Sequence, residues 1–138
     1  MTQGAFWDDL VQDLRDPEFL REYVVESMRI ATIDRIVNEL DEAREAADLS
    51  KAALARAISA EPAVIRRLFS AGHVNPTLGT LAEVAAALGM RITLEPLPEA
   101  ERRSITAPLL EGQAADVLML AEHLAAMRDT KARSRAAA

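Results

Sequence analysis

The sequence predicts a mainly α-helical, all-α fold with one short β-strand, on three observations. Apolar residues through the first half recur at spacings of three and four, the period of a helix with one buried face. Glycine and proline number only five and six in 138 residues, so long stretches run without breakers. Only residues 90–97 alternate apolar and polar with period two. The length allows one domain with modest extensions. With 50% apolar and 28% charged residues, the chain holds enough material to bury a core.

Phe6, Leu10, Val11 and Leu14 mark a short first helix. It must stop before Pro17, because the residue ahead of a proline is pushed out of the α region. Asp16 is placed to cap the next helix, with Pro17 at its first position and Glu18 favourable to its dipole. Phe19, Leu20, Tyr23, Val24, Met28, Ile33, Ile36, Val37 and Leu40 then carry an apolar stripe to about Ala47, as one helix or as two broken near Ala31 and Thr32. Shorter helices are expected at about 50–58 and 62–70, separated by a tight turn at 59–61 and followed by a loop over 71–76. The next helix spans about 78–88, with Thr77 as N-cap and Gly89 as its left-handed stop.

Ile92, Leu94 and Pro96 alternate with Arg91, Thr93 and Glu95, as in a strand. One strand alone is unstable, so it pairs with its own copy across a dimer axis or with a partner's strand; the alternative is an extended connector lying on the helices. Pro96, Pro98 and Pro108 with the charged run 99–103 read as a linker. From Glu111 to about Arg128, Val117, Leu118, Ala121, Leu124 and Ala125 line one side of an amphipathic helix, broadened by Met119, Leu120 and Met127. That helix either folds back on the core or offers a surface to a second chain. The basic, Ala-rich residues 131–138 are expected to be a disordered tail.

The informative block is residues 51–70, KAALARAISAEPAVIRRLFS. Its spacing suits a helix-turn-helix: Ala55 is small where two crossing helices come closest, Leu54 and Ile58 face Ile65 and Leu68, and Ala60 fills the space under the turn. Ser59 opens the turn where a left-handed residue, usually glycine, is needed. If Ile65 and Leu68 point inward, Ala63, Arg66, Arg67 and Ser70 share the outward face. Paired arginines on a projecting helix reach guanine bidentately or clamp phosphates, and the Ala63 methyl suits a thymine methyl. Glu61 and Pro62 lie at that helix's N-terminus, where the glutamate reads cytosine or sits off the backbone. Lys51 opens the preceding helix and suits a phosphate, and Ser70, Asn75 and Thr77 add donors.

These residues carry a resemblance. Leu49-Ser50, Leu54-Ala55, Ile65 with Arg67-Leu68, Asn75-Pro76-Thr77-Leu78, Thr80-Leu81 and Ala87-Leu88-Gly89 resemble the Cro/C1-type (Xre family) helix-turn-helix domain over residues 34 to 90. With the strand that follows and the acidic helical segment before it, the chain is most similar to HigA-type antitoxins. The resemblance implies a DNA-binding homodimer that represses its own operon at an inverted-repeat operator and neutralises a basic, RelE/HigB-like toxin. Two positions depart from the pattern: Lys51 stands where the family has glutamine, and Phe69 where it has glutamate. The expected organisation is an acidic N-terminal extension over 1–33, the helix-turn-helix domain over 34–90, a strand and dimerisation segment over 91–98, a linker and C-terminal helix over 99–130, and the tail over 131–138.

Charge sharpens this. The net charge is −6, which taken whole argues against a nucleic-acid partner. Residues 1–47, however, hold 12 acids and 5 bases, residues 48–75 hold 2 and 4, and residues 76–138 hold 8 and 7. The central stretch alone is basic. No cysteine is present, and His73 and His123 are isolated, so no metal site is expected. No cofactor is expected either: there is no glycine-rich phosphate loop, and without a Ser/His/Asp set the chain does not read as an enzyme. An acidic start and the lack of a long apolar run predict a cytoplasmic protein with no membrane partner. Phe6 and Trp7, among Asp8, Asp9, Asp13 and Asp16, either pack on the long helix or anchor a basic partner. Three function classes stay open: a repressor that is also an antitoxin, a regulator without a toxin, and a helical interaction module without DNA binding.

Overall fold

In a computed structural model of the chain, residues 4–70 and 75–137 are described, with side chains through Met127. Among them are seven helices and no strand: α1 (Gly4–Asp13), α2 (Pro17–Ala46), α3 (Lys51–Ala57), α4 (Pro62–Leu68), α5 (Leu78–Ala87), α6 (Glu99–Glu111) and α7 (Val117–Ala137). None is long and apolar enough to cross a membrane. The fold is mainly α, as the periodicity dictates.

The chain divides into two compact units, Thr32–Leu94 and Met1–Ala31 with Glu95–Ala138. In the first, the end of α2 contributes Val37 and Leu40, α3 contributes Leu54 and Ala55, α4 contributes Ile65 and Leu68, and α5 contributes Leu81, Val84 and Ala85. Each pair sits three, four or one residue apart, so one stripe of each helix is buried. The second unit has a core of its own: Leu10, Leu14, Leu20, Val24, Ile105, Leu120, Ala121 and Leu124, flanked by Trp7, Tyr23 and Met28. Thus α7 folds back to pack with α1 and α2, while Leu118 and Met119 of its broad apolar arc stay exposed.

Local signals set the helix ends. Asp16 Oδ2 accepts from the Phe19 amide at 3.1 Å, starting α2, which continues unbroken through Ala31 and Thr32. Ser50 and Thr77 cap α3 and α5 through side-chain oxygens that accept from the Ala53 and Thr80 amides. Three helix ends share one device. At Asp48, Ser59 and Gly89 the backbone turns left-handed, with φ of 55°, 55° and 72°. The Leu49, Ala60 and Met90 amides then reach back to the Arg44, Ala55 and Ala85 carbonyls at 3.1, 2.9 and 2.8 Å, satisfying carbonyls the helix leaves open.

Three expectations are corrected. Residues 99–111 form α6 rather than a linker. The prolines misled here: Pro98 sits at the N-cap, where it is tolerated, and Pro108 is buried inside the helix, where its contacts offset the lost amide bond. The C-terminal helix begins at Val117, not Glu111, because Gly112 at φ 78° ends α6 and Asp116 Oδ1 accepts from the Met119 amide. The α7 backbone continues as helix through residues 131–137. Residues 91–98 carry no strand within the chain.

Candidate nucleic-acid interface

The candidate surface is built on α3 and α4. Ala55 is fully buried between them, and the Ser59 turn redirects the chain within three residues. Pro62 begins α4 with its φ already helical; Glu61 stands at the N-cap without a side-chain bond. Because Ile65 and Leu68 are buried, the rest of the seven-residue helix faces out. Glu61, Pro62, Ala63, Arg66, Arg67 and Ser70 are all exposed. Neither Arg66 nor Arg67 has an ion-pair partner among the described residues. Two exposed guanidinium groups thus stand on consecutive residues of the helix, and their donors are left for an anion or a base edge.

The four expected phosphate donors divide. Lys51 is half-buried at the first position of α3, and Asn75 is exposed before α5. Both keep their side-chain donors free of bonds among the described residues. Thr77 and Ser70 do not. The Thr77 hydroxyl donates to Thr80 Oγ1 at 3.0 Å while accepting from the Thr80 amide, and the Ser70 hydroxyl donates to the Arg67 carbonyl at 2.9 Å. Each hydroxyl has one proton to give, so in this arrangement both act as helix-end groups. His73 and the rest of the 71–74 loop lie outside the described residues.

Two contributors were missed from sequence. Val64 is exposed on α4; an apolar residue next to Ile65 carries no signal of exposure. Arg44, in the last turn of α2, is the second. Its side chain is only 12% exposed, and its nitrogens bond Asp41 Oδ1 at 2.9 and 2.8 Å and the Leu49 carbonyl at 2.9 Å, with Glu45 at 3.5 Å. Its guanidinium carbon also lies 5.7 Å from the centre of the Phe69 ring. One residue therefore ties the end of α2 to the entry of α3 and to the C-cap of α4. Phe69 meets a cation with its ring face. A basic residue near a helix C-terminus is a weak sequence signal, and its partner 25 residues on is no signal at all.

Elsewhere, the described residues hold no cluster able to bind a metal. His123 Nε2 is buried 3.4 Å from Glu101 Oε1, a contact between α7 and α6 without hydrogen-bond alignment. Trp7 packs on the unit's core, whereas Phe6 is 67% exposed and meets Trp7 edge-to-face at 6.0 Å. The two aromatics thus take different roles, one packing and one open. Comparison with known proteins finds no matching family model and no match among curated proteins or solved structures.

Proposed function

We propose that this chain is a sequence-specific, DNA-binding transcriptional repressor of the Cro/C1 (Xre) helix-turn-helix kind, working in the cytoplasm as a homodimer on an inverted-repeat operator. The observation that carries the reading is the outward, unpaired Arg66 and Arg67 on a helix whose opposite face is locked into a core. Helices so presented enter the major groove, where an arginine forks onto guanine O6 and N7. Glu61, Pro62, Ala63 and Val64 lie on the same short helix or its cap and would meet neighbouring bases. Lys51 and Asn75 hold phosphates, fixing register without reading sequence.

The wider reading is that the repressor is the antitoxin of a type II module and neutralises a basic, RelE/HigB-like toxin. Its support is the open Phe6 among the exposed carboxylates of Asp8, Asp9 and Asp13, an aromatic anchor with an acidic surround.

A mobility-shift assay with the chain's own upstream region tests DNA binding; no shift at low salt overturns it. Arg66→Ala lowers specific affinity by about 1–3 kcal/mol, and an equal loss on random DNA refutes base reading. Lys51→Ala weakens all sequences alike and flattens the salt dependence by about one unit. For the antitoxin half, the test is an adjoining reading frame of roughly 100 residues with basic composition, within the one-domain range, toxic alone and harmless with this chain. Its absence leaves a regulator without a toxin.

A further inference from the structure

Residues 90–98 leave α5 at Gly89 and run without helix or strand. The Met90 amide is held by the Ala85 carbonyl, but from Arg91 to Leu97 no backbone group is bonded among the described residues. Ile92 packs against the core of its unit. Leu94 is 98% exposed and Met90 41%. A leucine left wholly in water beside a row of open amides has the character of an unpaired sheet edge.

The segment is also complementary to itself when reversed. We infer that two copies of this chain pair antiparallel through residues 90–96, with Thr93 meeting Thr93 on the two-fold axis; this names the dimer contact of the proposed function and rests on that reading for its use, though not for its chemistry. In this register Arg91 stands opposite Glu95, Ile92 opposite Leu94 and Met90 opposite Pro96, each pair occurring twice. Directly opposed residues lie about 4.5–5.5 Å apart, close enough for opposite charges and apolar side chains to interact. Arg91, Thr93 and Glu95 share one face; Met90, Ile92, Leu94 and Pro96 share the other. The partner's Leu94 therefore covers Ile92 and continues the core to which Ile92 already belongs.

Backbone chemistry selects the same register. Pro96 has no N–H and that of Met90 is engaged, so the ladder must use residues 91, 93 and 95, whose donors and acceptors are open. Sliding the pairing by two residues sets Arg91 against Leu97 or Thr93 and loses both charge pairs. Parallel pairing opposes Arg91 with Arg91. The occupant of this edge is thus a second copy rather than an unrelated strand.

The test uses the full chain without DNA, by sedimentation equilibrium. The wild type is a dimer. Arg91→Glu and Glu95→Arg each place two like-charge pairs across the axis and raise the dimer dissociation constant by roughly tenfold or more. Both residues are exposed, so the variants keep the wild-type helical circular dichroism. Mixed one to one, the two variants associate as a heterodimer as tightly as wild type, because every opposed pair is again of opposite sign. In a chain with no other thiol, Thr93→Cys forms a covalent dimer under mild oxidation. A monomeric wild type, a dimer indifferent to both reversals, a mixture no tighter than its components, or no cross-link at Thr93→Cys each overturns the proposal. Failure of the mobility shift does not touch these outcomes, and their failure leaves DNA recognition standing.

Discussion

At the scale of single residues, the two left-handed non-glycine positions have a measurable energetic consequence. Ser59 and Asp48 both sit at φ 55°, where a Cβ crowds the following carbonyl at a cost of about 1–2 kcal/mol. Ser59→Gly should therefore raise stability by about 1 kcal/mol in urea unfolding, provided the turn itself is unchanged. Gly112 presents the reverse case. A Cβ there would lie 3.0 Å from Arg21 Nη2 and 3.3 Å from Pro17 Cβ, at φ 78°. The guanidinium tip can swing aside, although its Nε holds the Leu109 carbonyl at 3.1 Å, but the proline ring cannot. Gly112→Ala is expected to lose about 1–3 kcal/mol, from strain and overpacking together. Arg44→Lys should cost about as much as Arg44→Ala, near 1–3 kcal/mol, since one ammonium cannot reproduce the fork that puts Nε and Nη2 on Asp41 Oδ1 while Nη1 holds the Leu49 carbonyl. Equal stability of Arg44→Lys and wild type would refute that reading of the latch.

At the scale of elements, caps and stripes explain why these short segments are helices at all. Seven-residue helices such as α3 and α4 are unstable alone, so their persistence depends on Leu54, Ala55, Ile65 and Leu68 being buried together. Leu54→Ala should cost about 2–5 kcal/mol by urea titration. The spacing of these residues was legible in the sequence because a helix repeats its face at three and four. Thr77, Asp16 and Gly89 were legible for a related reason: capping is local chemistry within four residues. Pro98 and Pro108 were misread because proline's effect depends on where in the helix it falls, which only the observed boundaries reveal. The missed Val64 belongs with them, since exposure of an apolar residue depends on where its neighbours stop.

At the scale of the whole molecule, charge is divided as the cores are. Residues 32–94 hold eight acids and seven bases, while 1–31 with 95–138 hold fourteen and nine. The unit bearing Arg66 and Arg67 is thus almost neutral, and the acidic surplus belongs to the other. An overall charge of −6 gives little sequence-independent attraction to DNA, so the proposed repressor activity requires a few directed contacts. The separate cores also predict separable effects. Leu124→Ala empties part of the core formed by α1, α2, α6 and α7 and should cost about 2–5 kcal/mol, read as faster amide exchange in residues 1–31 and 95–127. The operator shift of the folded protein should be unchanged. Loss of the shift in a folded Leu124→Ala variant would contradict the assignment of DNA contact to α3 and α4.

Sequence alone determined the helical class, the buried stripe of each helix, the left-handed turn at Ser59 and the placing of Arg66 and Arg67 on one arc, because each follows from short-range periodicity or from steric limits within a few residues. Tertiary structure decided what no local rule reaches: that residues 1–31 and the C-terminal helices share one core, that Arg44 meets Phe69, and that the Thr77 and Ser70 hydroxyls are already engaged. Those outcomes depend on which distant surfaces meet, and contact between residues far apart in the chain leaves no periodic trace.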